Sequence, residues 1–129
     1  MTALNEPTNI GLSEKAHALL KRLKDDQHFL EMADAYRFGI ALALASGVVP
    51  DEAPPPRTTI FGVGTIDPER EIAAAIRLLM DTAGVPIYKW AERLAEWGIT
   101  ELSIRAESGV LDLSEIVASI SINAEQPDA

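Results

Sequence analysis

The chain contains no cysteine, which removes disulfides, thiolate metal sites and cysteine nucleophiles from consideration and suits a reducing cytosol. A fold without such staples has to rest on buried apolar side chains, and 129 residues are enough for one ordinary domain of that kind. Long apolar runs are also missing. The longest, Phe38 to Val49, falls short of the roughly 20 residues that a membrane-spanning helix needs, and Asp34 and Arg37 precede it. Met1 to Pro7 carry neither a basic n-region nor an apolar h-region, so no secretory signal is read there. The expectation is a cytoplasmic chain with no membrane contact.

Positive charge is in short supply. The net charge is −9, and it is unevenly placed. Up to Val49, five basic residues (Lys15, Lys21, Arg22, Lys24, Arg37) face six acidic ones; from Pro50 onward six basic residues face fourteen acidic ones. Nucleic-acid binding calls for a basic patch, so any DNA contact is expected from the first half. The acidic second half is expected to lie away from DNA or to dock on a basic protein.

What is present is mostly helical patterning. Asn9-Ile10-Gly11-Leu12 forms a very short extended segment, with Ile10 and Leu12 on one side. Ser13 is a good N-cap, and Ala16, Leu19, Leu20 and Leu23 mark the buried face of a first helix over about Glu14 to Asp25, with Lys15, Lys21, Arg22 and Lys24 opposite. A second helix, Phe29 to Ser46, is apolar almost all round and ends at Gly47. Such a helix needs cover on several sides. Its small residues Ala35, Gly39 and Ala43, four apart, offer a strip for a neighbouring helix of the same chain or of a second subunit, and homo-oligomerisation is the expectation. Pro50, Pro54, Pro55 and Pro56 stiffen a linker, and Thr58 to Val63 forms a short strand or extended chain. Asp67-Pro68 starts a helix that buries Ile72, Ile76, Leu79, Met80 and Ala83 and runs to Gly84. Pro86 opens another with a stripe of Ile87, Trp90, Ala91, Leu94 and Trp97, closed by Gly98. Thr100 to Glu107 is helix or strand, with helix favoured. Asp112 and Glu115 have capping-box spacing and begin a last short helix to about Ala118.

The fold class that follows is mainly α: a short N-terminal strand plus two helices in ribbon-helix-helix order, then a small helical C-terminal lobe. The expected division is 1–49 for the DNA-associated and oligomerisation lobe, 50–66 for the linker and extended segment, 67–120 for the acidic lobe and 121–129 for a disordered tail.

Catalytic chemistry finds little support. His28, Glu31 and Asp34 recur every three residues, but the spacing drifts around a helix and no second histidine cluster completes a shell, so neither metal nor cofactor is expected. His17 borders the apolar stripe without a catalytic partner in sequence, and Gly62-x-Gly64 lacks the third glycine and the βαβ setting of a dinucleotide fingerprint. Trp90 and Trp97 share a helical face, as core or as a docking surface; core is favoured. No enzyme is expected.

In ribbon-helix-helix order, two chains pair their N-terminal strands and lay the ribbon in a DNA groove. Asn9 and Gly11 would then face outward, and Gly11 offers nothing to read a base edge. Lys15, Lys21, Arg22 and Lys24 would instead contact phosphates, which positions a protein on DNA without reading sequence.

The stretches Asn9-Ile10-Gly11-Leu12-Ser13-Glu14-Lys15-Ala16, Leu20-Lys21-Arg22-Leu23-Lys24 and Tyr36-Arg37-Phe38-Gly39-Ile40-Ala41-Leu42-Ala43-Leu44 resemble the DndE family, small accessory proteins of bacterial DNA phosphorothioate modification. The likeness covers about the first 50 residues. It implies a helical, homo-oligomeric, non-enzymatic protein associated with duplex or nicked DNA, in the setting of DNA modification or phage defence. Lys15, Lys21, Arg22 and Lys24 stand where the family has its basic first helix, and Arg37 where it has an arginine opening the second. The acidic stretch from Asp67 onward departs from the family's compact form. The alternative is a protein-binding adaptor or antitoxin-like assembly subunit with no direct DNA contact.

Overall fold

The computed structural model describes residues 6–109 and 111–118; the expected tail at 121–129 lies outside them. The chain is mainly helical. Strand β1 (Asn9–Ser13) leads into α1 (Glu14–Asp25) and α2 (Met32–Ser46); then come strand β2 (Arg57–Gly62), the single turn α3 (Val63–Ile66), α4 (Glu71–Leu79) and the long α5 (Ile87–Glu107). A further helical turn occupies 113–118.

The start of α1 follows its sequence. Ser13 Oγ accepts the Ala16 N–H at 3.1 Å, and Ala16, Leu20 and Leu23 are buried. Gly47 ends α2 in the left-handed conformation, φ 71°, where a residue without Cβ is least strained. The turn at 113–118 is capped by Asp112 Oδ1, which accepts the Glu115 N–H at 3.1 Å.

β1 pairs antiparallel with β2 of the same chain, Ile10 opposite Phe61 and Gly11 opposite Thr59, with Ile60 bulged between them. The ribbon is thus made within one chain, and the two-chain ribbon of the ribbon-helix-helix reading gives way to an intrachain hairpin closed over a long connection. Gly11 does not face a groove. A Cβ there would collide with the Thr58 carbonyl, so glycine is what lets the two strands approach. The other edge of β1 is covered by α5, whose Glu92 and Glu96 accept its N–H groups.

Gly98 does not end a helix. α5 runs straight through it to Glu107, settling Thr100 to Glu107 as helix, because Gly98 lies against Gly39 where α2 and α5 cross. A Cβ on Gly98 would overlap the Gly39 backbone, and one on Gly39 would come within 3.2 Å of the Ile99 nitrogen. The strip expected to serve a second subunit is therefore taken up inside the chain: Ala35, Gly39 and Ala43 are buried, and α2 with α5 forms the most extensive interface in the fold.

That interface also removes the expected boundary after residue 49. Leu12, Leu20, Ile40 and Leu42 share one apolar cluster with Ile76, Leu94, Ile99 and Leu102, so segments 1–49 and 67–120 have no separate cores. The intervening connection is held to the body: Pro56 O accepts the Glu14 N–H, Ala53 is buried, and Arg57 reaches Glu92.

Two helix bounds move inward. α2 starts at Met32, not Phe29, and Phe29 folds back on Phe38 with ring centroids 5.7 Å apart. α4 starts at Glu71 after Arg70 takes a left-handed conformation. Asp67 still caps it, but from further away, accepting the N–H groups of Ile72 at 2.9 Å and Ala73 at 3.0 Å. Positive φ at Ala83 and Gly84 separates α4 from α5. Among the described residues, no helix is long and apolar enough to cross a membrane.

Candidate functional site

The early end of α4 creates an exposed apolar patch. Ala73 and Ile76 bury one side of the helix. Since α4 stops at Leu79 and Met80 is already extended, the last turn is left outside the core. Leu78 is 82% exposed and Leu79 65% exposed, whereas the helical reading to Gly84 put Leu79 and Ala83 in the core. Val49, just past the end of α2, is 69% exposed. Beside these side chains lies a groove of about 360 Å³ lined by Leu44, Val48, Val49, Leu79, Met80 and Trp90, with Asp81 at its polar side. Trp90 is fixed as its floor. Its Nε1 donates to the Thr82 carbonyl at 2.9 Å, and the Arg93 guanidinium stacks 4.8 Å from the ring centroid. Trp90 is core, as favoured from sequence; Trp97 is half-buried.

The basic residues of α1 lie on its outer side, and Lys15, Lys21, Arg22 and Lys24 are all exposed. They do not form one stripe. At about 100° per residue, Lys15 and Arg22 share one flank and Lys21 and Lys24 the other, with Glu14 and Asp25 between them. Arg22 also meets Glu107 at 3.6 Å, an exposed pair that contributes little stability. Lys15, Lys21 and Lys24 have no acidic partner among the described residues. His17, half-buried beside Lys21, is held below its ordinary pKa, first by burial and then by the lysine charge. Arg37 lies in the second turn of α2 and is committed inside the chain, donating to the Ile66 and Thr65 carbonyls and pairing with Asp34 at 3.0 Å. Among the described residues, no group of three or more His, Asp or Glu side chains is placed to hold a metal ion.

A polar seam on α5 escapes the sequence reading. Glu92 Oε2 accepts the Gly11 N–H at 2.9 Å while Oε1 takes Arg57 Nη2 at 2.7 Å; one turn on, Glu96 accepts the Ser13 N–H at 3.0 Å and its hydroxyl at 2.6 Å. Tyr36 completes the seam by donating its hydroxyl to the Gly11 carbonyl at 2.9 Å. Burial, then the charges of Glu92 and Glu96, push the Tyr36 phenol well above its usual range, against the opposing pull of Arg57. It stays a donor. Each carboxylate oxygen of Glu92 and Glu96 accepts a hydrogen bond from the fold's own groups, so the seam clamps β1 to α5. The signal in the sequence is a pair of glutamates four apart, each preceded by an alanine, on a helix side that also carries Tyr88 and Ile99.

No protein-family model, curated protein or solved structure matches the chain.

Proposed function

We propose that the chain is a non-enzymatic adaptor that holds a protein partner in the groove between the ends of α2 and α4 and the first turns of α5. The observation that carries this reading is the exposure of Val49 and Leu79 on the lining of a groove floored by Trp90. Contiguous exposed apolar side chains on a small domain mark interaction surfaces, and a pocket with an aromatic floor suits one apolar anchor side chain. The net charge of −9, with Asp81 on the groove itself, favours a partner with lysine or arginine flanking that anchor and disfavours a second copy of this acidic chain. The test is photo-crosslinking in cells, with a photoreactive residue at Leu79 or, as control, at the exposed Ala41 of α2. A discrete adduct with one other protein from Leu79 and none from Ala41 is expected, and sequencing of the crosslinked segment should find lysine or arginine beside an apolar side chain. Absence of an adduct, or the same adduct from both positions, would overturn the reading; an adduct of twice the chain's mass would transfer it to self-association.

A second reading keeps the chain as a DNA-associated, homo-oligomeric accessory protein acting in DNA sulfur modification or phage defence. It is favoured by the exposed Lys15, Lys21 and Lys24, which have no acidic partner among the described residues, together with the DndE resemblance. Any self-association has to use surfaces other than Ala35, Gly39 and Ala43.

A further inference from the structure

Five of the seven arginines have a partner within the chain. Arg22, Arg37, Arg57 and Arg105 pair with carboxylates, and Arg93 lies over Trp90. The two without an ion pair or hydrogen-bond acceptor among the described residues, Arg70 and Arg77, line the same pocket, a second cavity of about 400 Å³ beside α4. Arg70 immediately precedes α4 and Arg77 lies in its second turn, and both border this one cavity.

The same pocket contains Glu6, Asp67 and Tyr88, and the carboxylates are already engaged elsewhere. Glu6 accepts the N–H groups of Ile87 at 2.8 Å and Tyr88 at 3.0 Å, at the start of α5. Asp67 accepts those of Ile72 and Ala73 and the Tyr88 hydroxyl at 2.8 Å. Each negative charge is thus set against the positive end of a helix. Neither carboxylate comes within ion-pairing distance of Arg70 or Arg77, although all four side chains border one cavity. The backbone donors of Ile72 and Ala73 at the start of α4 are likewise consumed by Asp67. The charged donors left in the pocket are two guanidinium groups, each a planar fork matched to an oxyanion.

We infer that this pocket binds a small phosphate-bearing or dicarboxylate ligand, with Arg70 and Arg77 as its two anion contacts. Two separate guanidiniums bordering one cavity suit a ligand with two anionic groups better than a single ion. The inference is independent of the α2–α4 groove, which shares no residue with this pocket.

The test is calorimetric titration of the full chain with pyrophosphate, succinate and inorganic phosphate at constant ionic strength. Saturable binding of pyrophosphate or succinate is expected, tighter than that of phosphate, and which of the two binds more tightly identifies the chemistry. Arg77→Gln is expected to weaken it about ten- to a hundredfold, as befits removal of a charge-assisted hydrogen bond, and so is Arg70→Gln. Arg70→Gly suits the left-handed backbone at that position, φ 59°, so it keeps the test valid if Arg70→Gln fails to fold. Heat that never saturates at millimolar ligand, or folded Arg70→Gly and Arg77→Gln variants that bind as tightly as the parent, would overturn the proposal.

Discussion

Tyr88 shows how a single residue ties two helix starts together. Its O–H donates to Asp67, the cap of α4, while its own N–H is taken by Glu6 at the start of α5. Burial, then the hydrogen bond to Asp67 and its charge, push the phenol up to about 12, Arg70 acting in the opposite sense and Glu6 adding to the rise. A phenol whose folded pKa exceeds its unfolded value of 10.0 contributes stability that is complete below pH 10 and is lost as pH rises toward 12. Tyr88→Phe is therefore expected to be less stable than the parent at pH 8 by about 1 kcal/mol, with the difference shrinking across that alkaline window. Urea melts at a series of pH values measure it, and a constant difference from pH 8 to about 12 would disprove the coupling. Neither the shift nor its partners are legible in the sequence, since Asp67 and Tyr88 are 21 residues apart.

Among the elements, α1 gives the clearest contrast between pattern and placement. Its N-cap, its bounds and its buried face were legible because each depends on neighbours within one or two turns. Its outer face was legible as basic. Arg22 and Lys24 in the last turn, however, also complement the negative end of the helix dipole, which accounts for them without any ligand. DNA binding separates the two roles. If the lysines contact phosphates, Lys21→Glu with Lys24→Glu should weaken binding to intact and nicked duplex alike and reduce the log–log salt slope by about 0.9 for each phosphate no longer neutralised. Helix content should be retained, since lysine and glutamate have similar helix propensity. Fluorescence titration at two salt concentrations decides it: equal binding by parent and double variant, or none by either at low salt, would leave the adaptor reading alone.

For the whole molecule, the crossing of α2 and α5 decides what can be separated from what. α5 supplies one wall of the core and the carboxylates that cover the free edge of β1. A chain cut before Asp67 would lose both, exposing Ala35, Ile40 and Ala43 and leaving the N–H groups of Gly11 and Ser13 without their acceptors. Residues 1–66 alone are expected to show no cooperative thermal transition, whereas the full chain melts in one step; circular dichroism against temperature checks both. A cooperative melt of the fragment would restore the separate N-terminal lobe suggested by the prolines after Val49.

The helical class, the caps at Ser13, Gly47 and Asp112, the charge asymmetry and the faces of α1 were all readable from the order of residues, because periodicity and capping are local properties of the chain. The roles of Gly11, Gly39 and Gly98, the engagement of Glu92 and Glu96, the early end of α4 and the pairing of β1 with β2 came from packing in three dimensions. Each of these depends on which segment arrives opposite, and a glycine needed for close approach has the same sequence signature as one that ends a helix. The Gly98 position is the plainest case: a residue unfavourable to a helix interior is retained within one because any side chain there would occupy the space of the Gly39 backbone.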